Sequence, residues 1–505
     1  MRSVGIRGRD ASNRARRMRA LLAGTALSAL TTLPAAAQNA TWLNPATVAG
    51  PTLGTFDYDA AANWTPGTPV ALTNGPTGTA TFGVSTTAAL SFSANTTVGA
   101  WTFNAGASNY TFTNAHVLTF SGGGISVLGG SASITNSNFV IFNNGTAGNA
   151  AIVNNGTVTF NTLSSAGNAT ITTSGLTEFL GASTGGAAQF NTLSGGTVDI
   201  SGLSGTFFAT GSIEGAGSYT LGSKSLLTTN NVDTVVSGVI SGVGGRLNKF
   251  GTGTLTLSGV NTYTGVTGVG GGTLIVAAGG SIASAPAVVD TGGTLIVNGT
   301  AGGINATGTL SGTGTVAAAQ VFGTFAPGSG LAGSTMTVAN GIAFQPGATY
   351  RIQVSPTAAS SANVTGAAGL AGTVSAQFAP GSYVARNYTI LTSTAGLGGT
   401  TFNALTTTGL PAGFTASLGY TSNNVLLNLN AVLGIATGST VNRNQQNIAT
   451  SLNKFFNNGG TLPPGFVSVF GLTGAPLSTA LTQLSGETAT GGQQTTFNAM
   501  WQFMG

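Results

Sequence analysis

The chain has no cysteine, one histidine and very little charge: only 5% of its 505 residues are Asp, Glu, Lys or Arg, against roughly a quarter in ordinary soluble domains. Without cysteine no disulfide can support the fold. With Glu, Lys and Arg so scarce, the usual solvent-face helix formers are missing, which excludes a helical bundle, a coiled coil and an ordinary intracellular α/β enzyme. Disorder is excluded too, because 41% of the residues are hydrophobic and disordered chains show the reverse balance. Length alone would allow about three domains. What is abundant is glycine, with 81 residues, alongside Thr, Ser, Asn and Val, a composition suited to strands and tight turns.

The formal charge of +5 is concentrated at one end. Arg2, Arg7, Arg9, Arg14, Arg16, Arg17 and Arg19 precede an apolar run from Leu21 to Leu33, followed by Pro34 and Ala35-Ala36-Ala37. A basic front, a short apolar core and an A-x-A site predict a secretory signal peptide over residues 1–37. The apolar run is shorter than the roughly 20 residues of a transmembrane helix. Arg16-Arg17 admits a twin-arginine reading, which the residues after it do not favour. Beyond residue 37 seven basic side chains face eight acidic ones, a net charge of −1. That leaves no basic patch, so a nucleic-acid partner is not expected.

Stability must then come from backbone pairing and stacked apolar side chains, and the sequence repeats accordingly. Ile134, Ile152, Ile171 and Phe190 recur at 18, 19 and 19 residues, and Phe142, Phe160, Phe179 and Ile200 at 18, 19 and 21. Turn signals such as Asn154-Asn155-Gly156, Ser174-Gly175 and Gly195-Gly196 lie between the two sets. Further on, Gly253-Thr254-Leu255, Gly272-Thr273-Leu274, Gly293-Thr294-Leu295 and Gly314-Thr315-Val316 recur at 19, 21 and 21. Each opens a short alternating strand with Leu or Val on one face and Thr on the other. A hairpin sandwich would show turns every 8–12 residues or so without this register. The pattern predicts an all-β fold, a right-handed parallel β-helix or solenoid of coils of about 20 residues. Residues 45–430 would give roughly twenty coils, a rod on the order of 90 Å.

The ends differ from the middle. Trp42, Trp64 and Trp101, with Phe56 and Tyr58, crowd the front and predict a cap over the first coil, so that residues 38–105 form the cap and first coils. Residues 106–322 read as the regular solenoid. From Phe325-Ala326-Pro327-Gly328 the strands become longer and less even, giving a distal β region over 323–430. Residues 431–505 turn helical: Ile448, Leu452, Phe455 and Phe456 make one stripe, stopped by Asn457-Asn458-Gly459-Gly460. Pro476 opens a second helix with Leu477, Ala480, Leu481 and Leu484 on one face, and Phe497, Met500, Trp501 and Met504 follow. These stripes suit helices packed on the solenoid end, or a segment made to sit inside something else.

The stretch Gly251-Thr252-Gly253-Thr254-Leu255-Thr256-Leu257-Ser258-Gly259-Val260-Asn261-Thr262-Tyr263-Thr264-Gly265, completed by Gly271-Gly272-Thr273-Leu274-Ile275-Val276, resembles the passenger-associated strand repeat of bacterial autotransporters. Asn63-Trp64-Thr65-Pro66-Gly67, Ala326-Pro327-Gly328 and Leu481-Thr482-Gln483-Leu484-Ser485-Gly486-Glu487 are weaker echoes, the last similar to the junction before the translocator. The resemblance implies type V secretion, in which a β-helical passenger is carried to the cell surface by an outer-membrane barrel. Such a barrel needs well over 200 further residues or so, and the sequence stops at Gly505. The expectation is a barrel lost by truncation or supplied in trans, or else a chain retained in the periplasm.

Candidate chemistry is sparse. His116 is alone, and a metal site needs three or four convergent ligands. Asp57 and Asp59, two apart on a strand, would share a face, as a carboxylate pair or calcium site requires, but turn capping is the expected role. Gly181-Ala182-Ser183-Thr184-Gly185 fits a G-x-S-x-G nucleophile elbow without a following helix or a base, in a chain where glycine makes chance matches common. Gly251-x-Gly253 fails as a dinucleotide loop because Thr256 occupies the third required position. Glu178 and Asp199 fall 21 residues apart and could stack on adjacent coils, the best opening for a polysaccharide-degrading β-helix enzyme. No catalytic, cofactor-binding or metal residue is therefore assigned, and no cofactor is expected. The expected function is a non-enzymatic stalk or adhesin-type surface protein with a glycan or host-surface ligand. A lyase or glycosidase is the alternative. An ice-binding solenoid is disfavoured by the uneven steps of 18–21 residues.

Overall fold

The computed structural model describes residues 39–43, 56–65, 78–229, 231–434, 441–486 and parts of 493–502. The proposed signal peptide, Pro66-Gly67, Glu487, Phe497 and Met504 lie outside the described residues. Alternation decides the architecture. Along Thr254–Leu257, Thr residues half-face solvent while Leu255 and Leu257 are buried, and the same alternation recurs from strand to strand. β-Branched and aromatic residues stiffen such strands, and each strand pairs in parallel with its counterpart one coil later.

Among the described residues three largely parallel sheets form the walls. The first has 11 strands and runs from Ala40–Trp42 to Ile240–Ser241. The second runs the length of the rod, from Phe56–Asp57 to Ala404–Thr408. The third, with 14 strands, begins at Phe207–Thr210 and ends at Asn424–Ala431. The early coils are thus built on the first and second sheets, the later ones on the second and third. The chain is a parallel β-solenoid with coils of about 21 residues and about 14 turns, fewer than the roughly twenty obtained by dividing length by period. Distal lengthening accounts for part of the difference: Gln353 and Gln377 are separated by 24 residues, and Gly372 and Asn403 by 31.

The anchor families stack as the periodicity predicts. Ile134, Ile152, Ile171 and Phe190 are register partners in the second sheet, and Phe142, Phe160 and Phe179 in the first. With Phe120 these rings form a column whose centroids are 4.8, 4.9 and 4.7 Å apart and within 6° of parallel. Thr254, Thr273 and Thr294 also stack. Gly314-Thr315-Val316 does not continue that column. Thr294 pairs with Thr309 and Thr309 with Thr324, while Thr315 pairs with Thr300 in the third sheet. Two coils here contract to 15 residues, as in the bond between Asn298 and Thr313, so a fixed step of 21 crosses to another face.

A polar column runs through the interior beside the apolar ones. Asn114 Nδ2 donates to Asn136 Oδ1 at 2.9 Å, Asn136 Nδ2 to Asn154 Oδ1 at 2.8 Å, and Asn154 Nδ2 to Thr173 Oγ1 at 3.0 Å. All four side chains are fully buried. The same amides also bond to turn backbone, as from Asn136 Nδ2 to Thr157 O at 3.0 Å. One side chain therefore ties its own coil, the next coil and the intervening turn together.

Both ends leave the parallel pattern. At the front, Trp42 pairs antiparallel with Trp64, their rings 5.1 Å apart at 80°. Trp64 Nε1 donates to Tyr58 O at 2.7 Å and Trp101 Nε1 to the Tyr58 hydroxyl at 3.0 Å. At the back, Asn387–Ser393, Asn424–Ala431 and Phe414–Tyr420 form an antiparallel group. Helices α1 (Arg443–Asn457), α2 (Pro464–Val467) and α3 (Gly474–Ser485) follow. α1 buries Ala449, Leu452 and Phe456, while Phe455, expected on the same stripe, is 51% exposed. Asn453 Oδ1 accepts from Leu433 N at 2.9 Å and its Nδ2 donates to Leu433 O at 3.0 Å. Asn457 does the same for Ala431, at 2.8 and 3.1 Å. Two amides one helical turn apart thus satisfy the backbone at the end of the last strand and just past it.

Two predictions follow from the buried polar groups. Asn136→Ala should lower stability by about 3 kcal/mol, because buried donors and acceptors on both neighbours lose partners; chemical denaturation compared with Ser137→Ala, an exposed change, checks it. All eight tyrosine hydroxyls are held above the ordinary 10.0, chiefly by burial. A phenol whose value is raised by folding contributes stability that is intact below the unfolded value and lost as pH rises past it. Circular dichroism should therefore show unfolding above pH 10 or so, coincident with phenol ionisation read by ultraviolet absorbance.

Candidate functional site

The carboxylates singled out from the sequence are engaged in holding turns. Asp57 Oδ2 accepts from Ser93 Oγ at 2.7 Å, and its Oδ1 from Asp59 N at 2.9 Å. Asp59 Oδ2 accepts from Ser93 N and Ala94 N, both at 3.0 Å, and its Oδ1 from Thr96 Oγ1 at 2.5 Å. This pair fastens the first described turn to the coil above it. Glu178 and Asp199 are register neighbours on adjacent coils. Each has its own partner: Thr159 Oγ1 donates to Glu178 Oε1 at 2.8 Å, and Ser201 N to Asp199 Oδ1 at 2.8 Å.

His116 is half-buried at a turn, with its backbone N bonded to Asn114 Oδ1 at 3.2 Å. Among the described residues no three His, Cys, Asp or Glu side chains gather closely enough to hold a metal ion. Ser183 is 3% exposed, and its hydroxyl has no hydrogen-bond partner among the described residues. Gly181, which opens that motif, has φ of 63° and succeeds Thr162 at 58° and Asn144 at 63° in a turn column that repeats coil by coil. The elbow-like spacing is thus part of a recurring turn, not a strand-to-helix bend that presents a nucleophile. Gly253 is needed for packing: a Cβ there would lie 2.4 Å from Val232 O.

The segment that differs from its neighbours in chemistry is the coil around Lys249. Arg246–Lys249 alternates so that Leu247 and Lys249 face inward, and Lys249 stacks on Val269, which stacks on Val289. A lysine thus occupies an apolar position with 0% exposure. Its Nζ turns out to the corner, donating to Phe250 O at 2.8 Å, Gly251 O at 3.1 Å and Gly271 O at 3.4 Å. Burial pushes this ammonium below its ordinary 10.5, with Asp233 pulling the other way. Gly251 reaches φ of 79° to turn its carbonyl, and at Gly272 a Cβ would meet Gly251 O at 2.5 Å. The lysine joins two successive turns. It was not singled out from the sequence, although the alternation Leu247-x-Lys249 was the available signal.

Residues 247–276 match the family model of the passenger-associated transport repeat. The chain carries an autotransporter passenger repeat. The match begins four residues before the stretch recognised from the sequence and so takes in Lys249. Leu247, Leu255, Val269, Leu274 and Val276 of the repeat are buried, and its strands pair with coils on both sides. Repeat and β-solenoid together fit an autotransporter passenger. No curated protein matches the chain.

Replacing the lysine tests its part. Lys249→Met keeps the stem and deletes the donor to three carbonyls, so it should destabilise the repeat by about 2 kcal/mol. Hydrogen exchange should show lost protection centred on residues 247–276, with the coils around Asn136 unchanged.

Proposed function

We propose that this chain is an exported, non-enzymatic β-solenoid passenger that serves as a stalk or adhesin-type surface protein. The observation that carries the reading is the passenger-associated transport repeat at 247–276, built without interruption into the solenoid. The basic front and apolar core of residues 1–37 support export as a signal peptide. No helix among the described residues is long and apolar enough to cross a membrane, a fact silent about β-barrels. The partners in this reading are the export machinery, an outer-membrane translocator barrel and a glycan or other ligand on a neighbouring surface. The location is the outer membrane and cell surface or the secreted fraction. Engagement of Asp57, Asp59, Glu178 and Asp199 in turn and inter-coil bonds favours a structural role for them over catalysis.

The test is fractionation of cells producing the tagged chain, with protease added to intact cells. The expected result is a fragment shaved from the surface, reduced at least tenfold when residues 247–276 are deleted. Retention of all protein in a protease-protected periplasmic pool would overturn the surface assignment. Release of reducing sugar or unsaturated uronide, abolished by Glu178→Gln or Asp199→Asn, would overturn the non-enzymatic assignment.

A further inference from the structure

The two 15-residue coils leave a mark on the outer face of the second sheet. Ile275, Ile296, Ser311 and Ala326 occupy successive positions of one outward column. Extending the register from Phe325 and Tyr350 places Arg351 next, followed by Ser375. Ser311 and Ala326 are short, whereas the isoleucines on one side and Arg351 on the other are long. The result is a groove of about 430 Å³ bounded at one end by the turn Pro327-Gly328-Ser329-Gly330. That is within the range of small-ligand sites, roughly 300–1,000 Å³.

Its lining brings an arginine together with amide side chains and apolar surface. Along Thr349–Val354 the residues Tyr350, Ile352 and Val354 are buried, so Arg351 and Gln353 project outward together. Gln353 Nε2 donates to Gln377 Oε1 on the adjacent coil. That bond uses the Gln353 side-chain nitrogen and the Gln377 side-chain oxygen, and both residues line the groove. No acidic residue is among the groove's lining residues, and Arg351 is one of only seven basic residues beyond position 37. An arginine here presents a planar fork suited to a carboxylate, with amides and a serine hydroxyl placed for sugar hydroxyls. Ile275, Ile296 and Pro327 supply apolar surface for the C–H face of a sugar ring.

We infer that this groove binds a carboxylate-bearing oligosaccharide, with Arg351 pairing the carboxylate and Gln353 and Gln377 reading the hydroxyls beside it. The inference deepens the adhesin-type reading and rests on it for its biological setting. A free inorganic anion would use the guanidinium alone, whereas an acidic sugar would use the guanidinium, the amides and the apolar wall.

The purified full chain, titrated calorimetrically with tetragalacturonate, its methyl ester and inorganic sulfate, distinguishes these. Binding of the acid is expected, at least tenfold weaker for the ester and for sulfate, and weaker at high salt. Arg351→Gln should cost tenfold or more with an unchanged unfolding midpoint, and Gln377→Glu should do the same by placing a carboxylate in the groove. Arg351→Lys should fall between wild type and Arg351→Gln, since it keeps charge but loses the fork. Equal affinity for acid and ester, sulfate binding as tight as the sugar, no binding of the acid, or wild-type affinity in either Arg351→Gln or Gln377→Glu would overturn the inference. Cell-surface attachment that survives Arg351→Gln would leave the adhesin reading standing while moving its ligand elsewhere. Groove binding by a chain that never reaches the surface would separate the two in the other direction.

Discussion

Everything in this fold depends on the parallel register between one coil and the next. Each strand's backbone bonds to the strand one coil later, so each side chain has as its nearest neighbour the side chain at the equivalent place. That constraint turns a sequence repeat into columns of phenylalanine, of isoleucine and of asparagine. The constraint also explains why so little charge is tolerated: identical residues stack, and stacked like charges repel. Where two acids do meet, at Glu178 and Asp199, each is held by a hydroxyl or an amide of its own.

The asparagine column adds what apolar columns cannot. Valine and isoleucine pack acceptably in several registers, but an amide that must donate to the next amide and to a turn carbonyl fits only one. A slip of one residue would bury unsatisfied groups on every coil from Asn114 to Thr173. The ends face the opposite problem, because the last strand offers bonds with no coil to receive them. Antiparallel pairing at Trp42 and Trp64 and the amides of Asn453 and Asn457 answer it, and edges closed in this way do not recruit further strands.

What was legible in the sequence was whatever repeats at a constant step. Ile134 to Phe190 and Phe142 to Phe179 could be counted, and the count gave the fold. The transfer from the first sheet to the third, around 207–241, was not legible, since both kinds of wall are written in the same alternating residues. The contraction to 15 residues misled the Gly314 anchor for the same reason. Lys249 was hidden because a lysine in a strand reads as solvent-facing until its Nζ is seen to reach a corner of carbonyls. The groove at Arg351 was hidden because it arises from coil length and not from any local motif. Sites built by adjacency across coils lie 15 to 31 residues apart in sequence, beyond the reach of short patterns.

The direction of the inter-coil bonds has a mechanical consequence. They run along the rod axis, so a pull between the two ends loads the coils in series and peels them apart one at a time. Each coil of about 21 residues releases on the order of 70 Å of extended chain when it yields. Under tension such a rod would not snap at a single weakest plane. It would lengthen in steps, dissipating the work of the pull coil by coil, while whatever is held at its far end stays attached.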